Sequence, residues 1–174
     1  DGPHLLPVCD VDQAQCINQP NPARRQSIEA VRIGRPDAGS AHDDFAEDAA
    51  VVDHLSNGRL DVVLVNGYVP SEFEGFGKSM SDRVKLTTEA VATLRQAWTG
   101  EPFEFTGEHH VVRGAQLLPP PRQQHVPIWV GGDTEPAFKR VVRYGDAFHA
   151  AFEPIGNVER GWARIGELCE AAGR

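Results

Sequence analysis

The sequence predicts an α/β fold with parallel strands, and three observations carry that prediction. Residues 62–65, Val-Val-Leu-Val, form an apolar run without polar alternation; this is the pattern of a strand buried on both faces, and such strands belong to parallel sheets. Helical and strand-like segments alternate from residue 43 onward, which implies right-handed βαβ units in an open sheet or a (β/α)8 barrel. Two strand ends run straight into glycine-containing polar segments, Asn66-Gly67-Tyr68 and Gly131-Gly132-Asp133-Thr134. Both folds take ligands at the C-terminal ends of strands, so one cofactor could touch both segments.

Taken in order, residues 1–42 hold Pro3, Pro7, Pro20, Pro22 and Pro36 and show neither strand alternation nor a helical stripe. No element is assigned there, and the segment is expected to pack poorly against an α/β domain spanning 43–174. A helix over 44–56 starts from Asp43 or Asp44 as cap, buries Ala49, Val52 and Leu55, and stops at Asn57-Gly58. A strand follows over 61–66, then a loop. A second helix over 80–99 is capped by Ser79 or Ser81, carries Val84, Val91, Leu94 and Trp98 on one stripe, and ends at Gly100. Two short β-rich pieces around Thr106-Gly107 read as a hairpin, and a proline-stiffened connection leads to a strand over 127–131. The next helix, 134–144, has Thr134 as N-cap, Pro136 in its first turn, Ala137, Val141 and Val142 facing inward, and Gly145 at the C′ position. A strand over 147–151 and a helix over 157–172 close the chain, the latter capped by Asn157 and burying Trp162, Ile165, Leu168 and Cys169.

Composition excludes several function classes. With 17 Lys and Arg against 25 Asp and Glu, the chain carries a net charge of −8, so it offers no broad basic field to nucleic acid or an anionic membrane. No apolar run approaches the length of a membrane span, and the expected address is cytoplasmic. The three cysteines, Cys9, Cys16 and Cys169, are an odd number and read as free thiols. No metal site is expected, because Cys9 and Cys16 lack a second ligand pair, and His109 and His110 are neighbours in an apparent strand and point to opposite faces. No catalytic triad, paired carboxylates or Walker loop is present, and no catalytic residue is assigned.

Four stretches, "DHLSNGRLDVVLVNGYVPSEFEGFG", "DRVKLTTEAVATLRQAWTGEPFEFTGE", "LLPPPRQQHVPIWVGG" and "RYGDAF", resemble in order and spacing the bacterial luciferase-like flavin- or deazaflavin-dependent oxidoreductases. The resemblance runs from about residue 46 to 152. It implies a (β/α)8 TIM-type barrel that binds reduced FMN or the deazaflavin coenzyme F-420 at its C-terminal mouth. At 174 residues the chain is short of the roughly 250 usual for such a barrel, so the expectation is an incomplete one, the C-terminal half. By position, the resemblance places Gly131, Gly132 and Thr134 near the cofactor phosphate and Asn66, Gly67 and Tyr68 at the strand end lining the cofactor pocket. Asn66 departs from the glycine common there, so its amide has to fit beside the ring or the ribityl chain. Implied partners are a small organic substrate, oxidised with reduced flavin and oxygen as in a monooxygenase or by hydride transfer to a deazaflavin. A flavin reductase and a homo-oligomer are compatible with the resemblance.

The residues from Gly131 to Thr134 also support a plainer reading as a tight strand-to-helix turn capped by Thr134. The anion reading rests on N–H groups 132–134 pointing from a helix N-terminus, with the Thr134 hydroxyl as a further donor and the Asp133 carboxylate turned outward. A bulky residue at 132 is expected to fill the phosphate space and leave the fold intact. Glu72 reads as a solvated loop acid and Arg83 as a first-turn helix residue rather than as pocket contacts, and Trp98, Trp129 and Trp162 as core rather than flavin stackers. A non-catalytic α/β fragment or interaction module is the alternative to an oxidoreductase.

Overall fold

A computed structural model describes residues 27–29, 41–150 and 154–173. In chain order the elements are β1 (Ser27–Glu29), α1 (Ala41–Leu55), β2 (Asp61–Leu64), α2 (Pro70–Gly75), a 3-10 turn (Met80–Asp82), α3 (Arg83–Ala97), β3 (Phe103–Thr106), β4 (Val111–Ala115), β5 (Ile128–Gly131), α4 (Glu135–Tyr144), β6 (Ala147–His149) and α5 (Ile155–Ala171). One sheet has the strand order β1-β2-β5-β6, and β3 and β4 form a second. Apart from β1 and the first turn of α1, the N-terminal segment expected to pack poorly lies outside the described residues, as do Cys9 and Cys16. β1 is an element the sequence pattern did not indicate. The chain divides into two compact units, with boundaries at Ile28/Glu29, Leu60/Asp61, Val65/Asn66 and Val126/Pro127.

The first unit holds β2, β5, α4, β6 and α5. Its strands are parallel, as the unalternating apolar runs require: Val62, Val63 and Leu64 lie beside Ile128, Trp129 and Val130, and Trp129, Val130 and Gly131 beside Ala147, Phe148 and His149. Val62, Ile128, Val130 and Phe148 share one buried face, and that face meets α4 through an edge-to-face contact of Phe148 with Phe138, ring centres 5.6 Å apart. Helix α4 buries Ala137, Phe138, Val141 and Val142, and α5 answers with Gly161, Ile165 and Cys169. Spacing of four along α5 turns Trp162 out of that stripe. Its exposure is 40%, so the core reading of Trp162 is corrected.

Two helix signals are also corrected. Helix α5 starts at Ile155 after Pro154, so Asn157 lies inside the first turn, where its carboxamide oxygen accepts from Arg160. Gly145 has φ −82° rather than a left-handed conformation. Its requirement is space: a Cβ there would lie 2.8 Å from Val130 Cγ2 and 3.1 Å from the Val141 backbone. Gly145→Ala is therefore expected to destabilise the fold by about 2 kcal/mol through overpacking, as a lower urea midpoint at constant slope; an unchanged midpoint would show that β5 and α4 separate freely. Asp146, next in sequence, accepts the Ile128 N–H at 2.7 Å and donates its own N–H to the Ile128 carbonyl at 2.8 Å. It fixes the turn, as expected.

The second unit holds α1, α2, α3 and the β3–β4 hairpin. Helix α1 begins at Ala41, so Asp43 and Asp44 lie within it rather than capping it. Its buried stripe is Ala46, Ala49, Ala50 and Asp53, whereas Leu55 is 82% exposed; the expected burial of Leu55 is thus corrected. The helix does stop at Asn57 and Gly58, both at positive φ. Trp98 is buried and donates its indole N–H to the Ala46 carbonyl at 3.2 Å, joining α3 to α1. Val84 is 41% exposed, and the buried side of α3 is Ala90, Val91, Thr93, Leu94 and Ala97. Ser79 caps the 3-10 turn by accepting the Ser81 N–H at 3.3 Å. The hairpin is antiparallel, with Phe105 opposite Val112 and Thr106 opposite Val111. His109 and His110 sit in its turn, not on a strand as expected.

The buried carboxylate of Asp53 organises this unit. One oxygen accepts the Gln123 N–H at 2.9 Å; the other accepts the Gln123 side-chain amide at 2.8 Å and the Leu60 N–H at 3.4 Å. The same amide donates to the Leu60 carbonyl at 2.8 Å. The proline-rich connection before β5 is thereby tied to α1.

Candidate cofactor site

The loop between β5 and α4 brings together Gly131, Gly132, Asp133 and Thr134 at the C-terminal end of a parallel strand. Gly131 is closed in: an added Cβ would stand 2.4 Å from Val65 Cγ1. Gly132 has φ +125°, which only glycine adopts readily, and a Cβ there would lie 2.9 Å from Ala137 Cβ. Valine at 132 would strain the backbone as well as fill the loop, so the expectation of an intact fold for that substitution is corrected.

The donors are shifted by one residue from the expected set. The Gly132 N–H donates to the His149 carbonyl at 3.4 Å and is spent on the sheet. Thr134 is the N-cap of α4, yet its side chain makes no capping bond; its carbonyl instead accepts the N–H groups of Ala137 and Phe138 at 2.8 and 3.0 Å. Pro136 has no N–H. Among the described residues, the backbone N–H groups at the helix start without a partner are those of Asp133, Thr134 and Glu135, which stand beside the exposed Thr134 hydroxyl. Asp133 is exposed, in agreement with an outward carboxylate.

Two residues at this loop were not singled out from the sequence. Arg140, in the second turn of α4, places Nη2 4.0 Å from where a Gly132 Cβ would be, and its buried Nε has no hydrogen-bond partner among the described residues. His149 ends β6 opposite Gly131, and its buried Nδ1 is likewise without a partner among the described residues. A polar residue directly after the apolar pair Ala147-Phe148, at the ligand-binding end of a strand, was the signal for His149. Arg140 carried none, since on a helix it reads as an ordinary surface cation. Glu135 is occupied elsewhere: Arg164 grips it with two bonds of 3.0 and 2.8 Å. Hydrogen bonding by Arg164 outweighs desolvation and holds the Glu135 carboxyl below the usual carboxylate range. The loop's cation therefore does not face an uncompensated Glu135.

Asn66, Gly67 and Tyr68 belong to the second unit. Gly67 has φ +75°, and a Cβ would meet the Phe73 ring at 3.0 Å, so glycine is required there by α2, which sequence reasoning took for loop. Asn66 is half-buried. Tyr68 is 84% exposed. Glu72 is exposed on α2, and Arg83 is half-buried at the start of α3 and donates to the Met80 carbonyl at 3.0 Å.

The family profile described as luciferase-like monooxygenase matches residues 44–174. The chain belongs to that family. Among solved structures, this luciferase-like chain is similar to the monooxygenase RslO1 from Streptomyces bottropensis, with 26% identity and a TM-score of 0.68 over 77% of this chain and 42% of the other. It is also similar to an F420-dependent secondary alcohol dehydrogenase in complex with an F420-acetone adduct, with 26% identity and a TM-score of 0.57 over 77% and 44%. The EDTA monooxygenase EmoA from Chelativorans sp. BNC1, at 18% identity and a TM-score of 0.65 over 78% and 38%, shares the fold. The luciferase-like chain thus spans less than half the length of these structures. Its β2, β5 and β6 are parallel strands of the barrel-type fold the resemblance implied. Among the described residues, no helix is long and apolar enough to cross a membrane.

Proposed function

We propose that the β5–α4 loop binds the phosphate of a flavin-type cofactor, FMN or the deazaflavin, in an oxidoreductase acting on a small organic molecule. The observation that carries this reading is the donor set of Thr134, the N–H groups of 133–135 and the adjacent Arg140 guanidinium at a glycine that cannot accept a side chain. Its membership of the luciferase-like family supports a redox role for the bound group. A bound flavin or deazaflavin supplies the electron or hydride chemistry. The chain's own residues hold and orient it: Thr134 donates a hydrogen bond, Arg140 offsets the phosphate charge, and His149 presents a ring nitrogen at the strand end. Asn66, Gly67 and Tyr68 are proposed separately, on the family resemblance, to line the cofactor's ring or ribityl chain. Reduced FMN, where used, would come from a flavin reductase.

Titrating the purified chain with FMN and with the deazaflavin, read by quenching of cofactor fluorescence, tests the proposal. Saturable binding of either at micromolar concentrations is the expected result. Absence of saturable binding by both would reject it and favour a non-catalytic fragment.

A further inference from the structure

The turn of the β3–β4 hairpin is held from outside. Glu89 of α3 accepts the N–H of Glu108 with one oxygen at 2.9 Å, and those of His109 and His110 with the other at 2.9 and 3.0 Å. Within the turn, the Gly107 N–H donates to the His110 carbonyl at 2.8 Å. His110 is 6% exposed, and its ring donates to the Leu86 carbonyl of the same helix. One carboxylate and one imidazole therefore fasten the arm to α3. The remaining charged groups facing them are Lys78, before the 3-10 turn, Lys85 on α3 and His109 in the turn itself. Lys85 pairs with Glu108 at 2.7 Å on the exposed side.

We propose that this hairpin is an acid-released arm: Glu89 and His110 together form a latch that opens at low pH while α3 stays folded. Both groups favour closure in their high-pH forms on balance. For His110, burial favours the neutral ring and, helped by the Lys78 and His109 charges, outweighs the Leu86 bond and the Glu89 charge, which favour the protonated one; its pKa is lowered from its ordinary 6.5, so closure is fully supported above that value and weakens as pH falls below it, when the freed ring takes a proton. For Glu89, burial opposes the charge, but the three backbone donors outweigh it and lower its pKa from 4.5. Its contribution is present above 4.5 and is lost as pH falls further, since a protonated carboxyl cannot accept all three N–H groups. Opening is thus expected in two steps, His110 first.

Native-state amide exchange on the full chain, corrected for intrinsic rates, tests this. Amides of 107–110 should lose protection about tenfold between pH 7.5 and 5.0, while the Leu94 amide in α3 keeps its protection. His110→Gln should abolish that first step, and Glu89→Gln should leave 108–110 open already at pH 7.5. Uniform protection of 107–110 across this range, or loss in parallel with Leu94, would overturn the latch; this comparison within the wild-type chain decides the matter even if a variant does not fold.

Discussion

Asp53→Ala is expected to lower the stability of the chain by about 3 to 4 kcal/mol, read as a reduced urea midpoint with an unchanged slope. The carboxylate is 0% exposed and serves as acceptor for the Gln123 N–H, the Gln123 amide and the Leu60 N–H. Alanine removes both acceptor oxygens, and with them three hydrogen bonds, and leaves the Leu60 N–H, which is buried, and the half-buried Gln123 N–H without their partner. The loss of protein–protein hydrogen bonds is the smaller part; stranding the buried donors is the larger. Asp53→Asn keeps the volume and one acceptor oxygen, and should cost about half as much. Equal effects of the two substitutions would show that packing around position 53, rather than its acceptor role, is what matters.

The double substitution Thr134→Ala with Arg140→Gln is expected to weaken FMN binding about 100-fold, or about 2.7 kcal/mol, and riboflavin binding less than threefold. Thr134 contributes a hydroxyl that α4 does not use for capping. Arg140 contributes a formal charge beside Gly132, and charge-assisted bonds to phosphate are the stronger kind. Neither side chain is part of the buried core, so the fold should survive, which a circular dichroism melt checks. The pair avoids the weakness of changing Gly132, where φ +125° makes any side chain a perturbation of the backbone. An equal loss for both ligands would place these residues in general support of the loop and not at the phosphate.

Much of the sheet was legible because burial on both faces leaves an unmistakable run of apolar residues. Val62 to Val65 and Ile128 to Val130 read as parallel strands, and Val62 to Leu64 pair with Ile128 to Val130 as such, the strand ending at Leu64. The helices were legible where their apolar spacing was strong, as at Ala137, Val141 and Val142. Misreadings fell where a polar residue occupied a core position or an apolar one did not: Asp53 takes the place on α1 that hydropathy gives to Leu55, and Trp162 lies one step off the stripe set by Gly161, Ile165 and Cys169. A hydropathy pattern cannot reveal that a carboxylate will find three donors, because Leu60 and Gln123 are distant from one another in sequence. Glu89 was missed for the same reason. Of the site, the glycines and Thr134 announce themselves by spacing, whereas Arg140 and His149 become visible only when β6 and the second turn of α4 are brought to the loop. The use of the Gly132 N–H by the His149 carbonyl depends on the β5–β6 register, which no local pattern encodes.

The most direct measurement is the affinity of the unmodified chain for FMN against riboflavin, at one salt concentration and pH 7.5. The two ligands share the ring and ribityl chain and differ by the phosphate alone. If, as proposed, the Thr134 hydroxyl, the N–H groups at the start of α4 and the Arg140 guanidinium hold that phosphate, FMN should bind about 100-fold more tightly, or about 2.7 kcal/mol. Equal affinities would contradict the assignment and reduce the β5–α4 loop to a tight turn.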